Sequence, residues 1–446
     1  MNCGLAFTLL AILTIANFFA GGRRVLYPPF IYSGVWAIDV AIFAISPIEI
    51  NPVHSVTWWV ITLGALAFSA GGWITGALRL PIIWRKPPRD DDDHPDFPLG
   101  RTLLVTLCVV CLPYLALQMF HPGASGGMIG SRDAAVELAE GRQSSVMHNP
   151  ITTYLPSFSI WVAVLCLIEK RDWRFWIALA TSFACCFLAT GRTLFLLLLS
   201  AVTAVEMIKH RKDTIVGMIR VATLPFICFV AIFVAVIFLN KDTSGFRGDN
   251  VAILSNFFLA YVVVPIPALD GVLMHMADYS NAAHHTFEFL LKTLNAFGCS
   301  FQTPPTFDEW VLVPLPTNVY TIYKFYLTDF GLLGMYLAIL VIGLLQTIVY
   351  RIAIAGSRIA LFFCALLVFP AVMSIFDDSY SQFVLIAMEG TLAITYFYFL
   401  HRLTLGISLP RLRPAKGLPH IGFLPSHRAG LAKAIDRRAS SEGSRG

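Results

Sequence analysis

Apolar residues in this chain come in long uninterrupted blocks, and the length of these blocks limits what the chain can fold into. Most blocks run for about 17 to 24 residues, which is the length of an α-helix that crosses a lipid bilayer. Of the 446 residues, 57% are hydrophobic and only 13% are charged, whereas soluble domains carry about 25% charged residues. The sequence therefore predicts an all-α polytopic membrane protein.

We predict about eleven transmembrane helices from these blocks. The first block has its arginines after it rather than before it, the reverse of a signal peptide, so we interpret it as a retained span. Together they form an integral membrane domain over residues 1–402, followed by a basic, disordered cytoplasmic tail over 403–446. The predicted spans are 3–20, 28–47, 55–77, 102–120, 152–168, 174–190, 193–208, 216–239, 330–350, 358–376 and 380–400.

Lys and Arg residues indicate how these spans are oriented, because cytoplasmic loops are enriched in them. If the predicted spans alternate in direction, six basic clusters fall on one side, which we predict to be cytoplasmic. The tail alone carries nine Lys or Arg against two acidic residues. The clusters contain Arg23 and Arg24; Arg79, Arg85, Lys86 and Arg89; Lys170, Arg171 and Arg174; Lys209, Arg211 and Lys212; Arg351 and Arg358; and the tail from Arg402.

Two long loops, at residues 121–151 and 240–329, then fall on the extracytoplasmic side. The second is longer than a structureless connector normally is. Its apolar clusters around Phe257 and Phe287 are typical of short helices that lie at a membrane surface. We therefore expect the functional residues on this side.

The end of the second loop is polar and aromatic, and it leads directly into a predicted span. It contains TNVYT at 317–321, then Lys324, then DFG at 329–331. A carboxylate at the mouth of a span is costly unless it faces protein or water, so Asp329 is a candidate functional residue.

Arginines on the extracytoplasmic side are candidate anion ligands, since a guanidinium group bonds two phosphate oxygens at once and stays charged. Arg192 lies in a Gly-Arg-Thr triplet between two apolar runs. It is either a phosphate ligand or a snorkelling residue that ends a helix. Arg132, Arg142 and Arg247 lie in the long loops and are either phosphate ligands or ordinary surface residues.

Several other ionisable residues have two interpretations each. His284 and His285 are either general bases or incidental loop residues. Asp39 and Glu389 lie within predicted spans, where they either couple to protons or pair with a buried Arg or the backbone. Asp378 either orients a hydroxyl or caps a helix.

Two short motifs, by contrast, are better explained without metal or redox chemistry. The acidic run at 90–93 contains D-x-D but lies in a short, Pro-rich loop, so we interpret it as a solvated charge run. Cys108 and Cys111 spell C-x-x-C in the middle of a span, where cysteines pack as small apolar residues. The Cys and His spacings typical of zinc sites are not found, and the sequence predicts no metal site.

The Gly-Arg-Thr triplet before an apolar run, the long loop, TNVYT, and DFG with Gly334 beyond it together resemble the oligosaccharide repeat unit polymerases, the O-antigen polymerase (Wzy-type) family. The resemblance covers residues 150–410 best, and the N-terminal spans match only in hydropathy. It implies a GT-C-like helical bundle whose active site faces the periplasm from a bacterial inner membrane.

The resemblance also implies a reaction. The growing glycan is carried on undecaprenyl diphosphate, a hydroxyl of a new lipid-linked repeat unit attacks its anomeric carbon, and undecaprenyl diphosphate leaves. The expected partners are the lipid-linked donor and acceptor, membrane lipid and a chain-length regulator protein, with no nucleic acid. Neither a nucleotide nor another cofactor is expected, and the product is O-antigen, capsule or exopolysaccharide.

On this interpretation Arg192 and Arg247 bind the diphosphate, Asp329 and Tyr320 shape the sugar pocket, and His284 or His285 is the base. Arg192 corresponds to the family by its motif, whereas Arg247 and Arg142 correspond by location alone. The expected substrate-binding residues are Arg142, Arg132, Asn318, Tyr320, Lys324 and Asp378.

Two alternatives remain open at this point. The first is a related O-antigen ligase-type glycosyltransferase, which moves finished glycan onto another acceptor. The second is a membrane transporter or flippase, which would use Asp39 and Glu389 within its spans.

Overall fold

The structure is a computed structural model that describes residues 1–47, 52–77, 98–119, 150–189, 192–240, 261–275, 285–296, 298–301, 311–313, 316–381, 390–391 and 395–396. These residues are mostly helical, as expected for a helical membrane protein. Of the helices in these ranges, five are long and apolar enough to cross a membrane by length and composition, and several shorter apolar helices accompany them. The predicted tail at 403–446 lies outside the described residues.

Most of the longer described helices follow the predicted apolar blocks closely, because the length of an uninterrupted apolar run largely determines where a membrane helix begins and ends. The span predicted at 330–350 lies within a longer helix, Ile322–Ile354. A two-residue antiparallel strand pair, in which Val311 lies opposite Thr317, interrupts the otherwise helical order. The elements are α1 (Cys3–Ala20), α2 (Pro28–Ile45), α3 (Ser55–Ala77), α4 (Pro98–Met119), α5 (Pro150–Glu169), α6 (Trp173–Leu188), α7 (Arg192–Lys209), α8 (Ile215–Asn240), α9 (Pro265–Met274), α10 (Glu288–Ala296), β1 (Val311–Leu312), β2 (Pro316–Thr317), α11 (Ile322–Ile354) and α12 (Arg358–Met373).

Helix α12 joins two groups of packed helices. One group consists of α1, α2, α3, α9 and α11, and the other is built mainly from α4, α5, α6 and α7. Leu367 and Ala371 of α12 belong to the apolar core of the first group, whereas Phe362 and Leu366 belong to the core of the second. Burying both faces of α12 in this way connects the two cores.

Helix α11 consists of two arms that meet at Gly331. The backbone of Gly331 has φ 67° and ψ −177°, a conformation that only glycine adopts readily. We call residues 322–330 the short arm and residues 332–354 the long arm. A Cβ at Gly331 would have open space around it, so the conformation rather than crowding requires glycine here.

The long arm runs parallel to α3 at very close distance. A Cβ at Gly71 would overlap the backbone oxygen of Leu340, and Arg351 Nη1 donates a hydrogen bond to Thr75 O at 2.7 Å. Small residues at such contacts let the backbones of membrane helices approach each other. The facing pairs in order along the two helices are Phe68 with Gly343, Gly72 with Thr347 and Thr75 with Arg351.

The short arm folds back beside the long arm. The ring of Tyr323 lies where a Cβ at Gly64 would be, and the register with α3 places Gly64 opposite Ile339. At 1.5 Å per residue, Tyr323 therefore lies about 12 Å along the bundle from Gly331. The backbone N–H of Ile322 donates to Ser374 O at 2.9 Å, which fastens the start of the short arm to the turn after α12.

The basic clusters that the structure describes gather at one end of the bundle. We call the end that carries Arg351 and Arg358 the Arg351 end, and the end that carries Gly331 and Ser55 the Gly331 end. The predicted basic clusters meet at the Arg351 end wherever the structure describes them. Arg358 Nη1 donates to Glu169 Oε2 at 2.8 Å, and Arg24 lies 3.5 Å from Asp213.

Helix α7 begins at the opposite end of the bundle, the Gly331 end. Lys209, its last residue, donates from Nζ to Leu167 O at 2.9 Å and so lies at the Arg351 end with the end of α5. The helix is 18 residues long from Arg192 to Lys209. Arg192 therefore begins α7 toward the Gly331 end.

The predicted loop at 240–329 differs from expectation in one respect. Part of it is a helix near the predicted apolar cluster of Phe287, namely α10. However, α9 and the short arm are buried in the bundle rather than lying on its surface. Most of their residues are apolar or aromatic, which favours burial, and the charged residues among them have partners inside the bundle.

Candidate functional site

The short arm brings polar side chains into the interior near the Gly331 end. Each residue from 322 to 329 is buried, including Lys324 at 6% exposure and Asp329 at 4%. A buried charge is tolerated only with close partners, because the loss of hydration costs several kcal/mol. The partners of these two side chains therefore define the site.

Asp329 is held by the segment that precedes α10. Its Oδ2 accepts hydrogen bonds from the backbone N–H of Thr286 at 2.7 Å and from the Thr286 hydroxyl at 2.6 Å. Its Oδ1 accepts from the backbone N–H of His285 at 3.3 Å. The His285 ring packs edge-on against Phe325, with centroids 5.4 Å apart. The candidate base and the candidate carboxylate thus lie side by side, joined through the backbone of His285.

Lys324 lies over an aromatic face. Its Nζ is 3.5 Å from the ring centroid of Tyr320 and 5.4 Å from that of Phe325. An ammonium group over a ring in a desolvated site gains about 2 kcal/mol. Lys324 and Tyr320, both predicted as substrate ligands, are therefore direct neighbours. Asn318 is partly buried in the segment that leads to them.

Asp378 lies on another side of the short arm. Its Oδ1 accepts from the Tyr326 hydroxyl at 3.1 Å, and from the backbone N–H groups of Tyr380 at 3.1 Å and Ser381 at 3.3 Å. The two backbone bonds cap the helical turn that starts at residue 379. Within the described ranges, no hydrogen-bond partner reaches Oδ2. Asp378 therefore caps a helix and still has one buried carboxylate oxygen without a hydrogen-bond partner among the described residues.

A layer of buried tyrosines continues from Asp378 through the first helix group. The Tyr32 hydroxyl donates to Tyr323 Oη at 3.2 Å, and the Tyr380 hydroxyl donates to Gln346 Oε1 at 2.7 Å. Gln346 in turn donates to Leu367 O at 2.8 Å. These bonds satisfy hydroxyl groups that would otherwise be costly inside an apolar bundle.

A His–Asp pair also lies at the Gly331 end, and the sequence alone did not indicate it. His54 Nδ1 lies 2.9 Å from Asp270 Oδ2, and the backbone N–H of His54 donates to Asp270 Oδ1 at 3.0 Å. The Thr57 hydroxyl also donates to Oδ1. In the sequence, Asp270 is visible only as an interruption of an apolar segment, and His54 is 216 residues away from it.

The structure thus brings together five of the predicted site residues around the short arm: Tyr320, Lys324, Asp329, His285 and Asp378. Arg192 is described as the first residue of α7, but its side chain is not. The remaining predicted residues lie outside the described ranges: Arg132, Arg142, Arg247 and His284.

Asp39 in α2 is a second kind of buried carboxylate. It is 1% exposed, and within the described part of the chain neither of its oxygens has a hydrogen-bond partner. The other intramembrane carboxylate predicted from the sequence, Glu389, lies outside the described residues.

Across the residues that the structure describes, no three His, Cys, Asp or Glu side chains are grouped so that they could hold a metal ion. Comparisons of the chain with models of known protein families, with functionally characterised proteins and with solved structures found no match.

Proposed function

We propose that this chain is a polymerase of lipid-linked oligosaccharide repeat units in a bacterial inner membrane. It transfers the growing glycan from undecaprenyl diphosphate to a hydroxyl of a new lipid-linked repeat unit, in the synthesis of O-antigen, capsule or exopolysaccharide. The observation that carries the proposal is the short arm. Tyr320, Lys324 and Asp329 lie in a polar segment buried toward one end of an apolar bundle, and α7 starts at Arg192 toward the same end.

The substrate chemistry fits such a segment in three ways. A polyprenyl chain requires apolar helix faces, a diphosphate requires cations, and a sugar requires hydrogen-bonding groups beside aromatic rings. The bundle supplies apolar faces, Lys324 is a buried cation over the rings of Tyr320 and Phe325, and Asp329 lies on the same short arm as Phe325. Arg192 and Arg247 bind the diphosphate in this proposal, where positive charge stabilises the leaving group as its charge develops.

The proposal includes a topology. The chain has about eleven spans in a GT-C-like arrangement, with the Arg351 end in the cytoplasm and the Gly331 end facing the periplasm. The gathering of basic residues at the Arg351 end supports this orientation. Cysteine labelling from each side of the membrane tests it. Labelling of Cys299, an exposed residue just after α10, from the cytoplasm alone would contradict the proposal.

The activity is tested by measuring glycan chain length in cells from which this protein has been deleted and which express one of its variants instead. We expect Arg192→Ala and Asp329→Ala to reach the membrane and to leave single repeat units on the lipid carrier. Arg171→Ala is the control for Arg192→Ala. It also removes a positive charge, but at the Arg351 end, and should keep the full ladder of glycan chain lengths. Normal ladders with Arg192→Ala would remove that residue from the mechanism. Long carrier-linked chains in the deletion strain would instead indicate a ligase.

Asp39 favours one alternative function, a transporter or flippase. A buried carboxylate without a partner among the described residues is typical of proton or cation pathways. Neutralising Asp39, alone and together with Glu389, distinguishes the transporter from the polymerase. If Asp39→Asn stops the movement of lipid-linked units across the membrane while existing polymer still lengthens, the transporter is correct and the polymerase is not.

A further inference from the structure

In the His54–Asp270 pair, the imidazole ring of His54 is held by a hydrogen bond and is also exposed. Asp270 Oδ2 lies 2.9 Å from His54 Nδ1, and the side chain of Asp270 is 13% exposed whereas that of His54 is 59% exposed. Since the facing group is a carboxylate, which only accepts, Nδ1 carries the hydrogen and donates it. Nε2 then holds a lone pair on a ring that is more than half exposed. This is the arrangement of a general base oriented by a carboxylate.

Asp270 is itself held firmly. Its Oδ1 accepts from the His54 backbone N–H at 3.0 Å and from the Thr57 hydroxyl. Helix α9, which carries Asp270, packs through Ile266 and Leu269 into the same apolar cluster as Tyr320. The orientation of the His54 ring is therefore set by a buried helix rather than by a free loop.

The pair lies at the same end of the bundle as Asp329 of the candidate site. The register between α3 and the long arm places Thr57 opposite Leu332, the first residue of the long arm, so His54 and Asp329 both lie at the Gly331 end. Val53 and Phe330 both pack against the cluster that contains Tyr320. His54 and Asp329 are therefore next to residues of one apolar cluster at the same end of the bundle.

We propose that His54 is the catalytic base of the glycan transfer and that Asp270 is its positioning residue; this inference rests on the proposed function. Nε2 takes the proton of the acceptor hydroxyl as its oxygen bonds to the anomeric carbon. The bond from that carbon to the diphosphate oxygen breaks, and undecaprenyl diphosphate leaves with the electron pair. Asp270 stabilises the resulting imidazolium ion, which then returns its proton to water. The assignment moves the base from His284 or His285 to His54.

The same contacts also have a structural effect, because Asp270 binds the first turn of α3. A test must therefore preserve the hydrogen bond and remove only the basic nitrogen. His54→Asn does so, since the amide nitrogen of Asn can take the place of Nδ1 and Asn has no group at the position of Nε2. Asp270→Asn is the complementary variant, which keeps the ring but weakens the stabilisation of its charged form.

The experiment uses the full chain in lipid nanodiscs, with lipid-linked repeat units extracted from cells that lack the chain. For His54→Asn we expect kcat to fall about 10²- to 10⁴-fold with KM nearly unchanged, and for Asp270→Asn a smaller fall. Imidazole added to His54→Ala should restore part of kcat. His210→Asn is the matched control, because His210 is similarly exposed but lies at the Arg351 end, and we expect no change.

Each outcome is decisive. If the wild-type chain leaves the repeat units unextended, the proposed polymerase function fails and the base assignment fails with it. If the wild type extends them and folded His54→Asn does so at the same rate, His54 is only a structural contact and this inference is wrong. If His54→Asn is slow but imidazole gives no rescue in His54→Ala and KM rises instead, His54 binds substrate and is not the base.

Discussion

Thr286 donates two hydrogen bonds to the same carboxylate oxygen of Asp329, from its backbone N–H at 2.7 Å and from its hydroxyl at 2.6 Å. This contact fastens the segment before α10 to the end of the short arm, just before Gly331. We expect Thr286→Val, which removes only the hydroxyl, to destabilise the protein by about 1.5 to 3 kcal/mol, the range for a hydrogen bond to a charged group. Thermal unfolding in detergent measures the loss.

Thr8→Val is the control for this change. The Thr8 hydroxyl is exposed and bonds to Gly4 O within its own helix at 2.8 Å, so its removal should change the unfolding temperature very little. If Thr286→Val and Thr8→Val have the same small effect, Asp329 is not held by Thr286 in the way that the geometry indicates.

Gly331 determines the direction of the short arm. With φ 67° and ψ −177°, it adopts a conformation that costs other residues about 1 to 3 kcal/mol. Gly331→Ala should lose about that much stability, and glycan chain length should fall because the short arm carries the candidate site. The measurements are thermal unfolding and the ladder of chain lengths in cells.

Gly34→Ala in α2 is the matched substitution. A Cβ at Gly34 would meet Thr14 Cγ2 at 3.6 Å, an ordinary van der Waals contact, and Gly34 lies in a regular helix. Replacing a glycine by alanine in a helix is normally neutral or stabilising. Equal stability of the Gly331 and Gly34 variants would mean that the bend between the two arms does not depend on glycine.

Much of the helical architecture could be predicted because it depends on local composition. The predicted spans 3–20 and 55–77 coincide with α1 and α3, since an apolar run surrounded by polar residues determines both ends of a membrane helix. That Asp329 has close hydrogen-bond partners was also predictable, because an ionisable group beside an apolar run must find a partner.

Two features could not be predicted from one sequence. The short arm folds back because of one backbone conformation at Gly331, and a glycine at that position does not by itself predict it. The His54–Asp270 pair joins residues 216 positions apart, and neither belongs to a recognisable motif. Such pairs depend on tertiary packing, which a hydropathy pattern does not contain.

The contact between Lys324 and Tyr320 is expected to survive the loss of the tyrosine hydroxyl. Nζ lies 3.5 Å from the ring centroid, so the attraction is to the ring face, which Phe also has. In a double-mutant cycle with Lys324→Met, we expect Tyr320→Phe to keep most of a coupling energy of about 2 kcal/mol and Tyr320→Leu to lose it. Equal coupling energies for Phe and Leu would contradict a cation–π contact.

Asp172 stabilises the Arg351 end through charge. It lies 3.3 Å from Arg101 Nη2 and accepts a hydrogen bond from Arg174 Nη1 at 2.8 Å, and the Arg101 side chain is fully buried. Burial raises the pKa of Asp172, but the charge of Arg101 and the hydrogen bonds from Arg174 outweigh it and lower the pKa below its usual value. The folded state therefore favours the ionised carboxylate, and this stabilisation is present above the ordinary aspartate pKa.

At neutral pH, Asp172→Asn should cost on the order of 3 kcal/mol, because it removes the charged partner of a buried arginine. As the pH falls below the ordinary aspartate pKa of about 3.9 and then through the lower folded pKa, the wild type also protonates Asp172, so the difference between the two proteins should shrink. Thermal unfolding of both proteins at a series of pH values measures this difference in stability. Arg171→Met removes a half-exposed charge at the same end and should cost less than about 1 kcal/mol. A difference between wild type and Asp172→Asn that stays constant down to the lowest pH would show that Asp172 acts through packing or capping instead of charge.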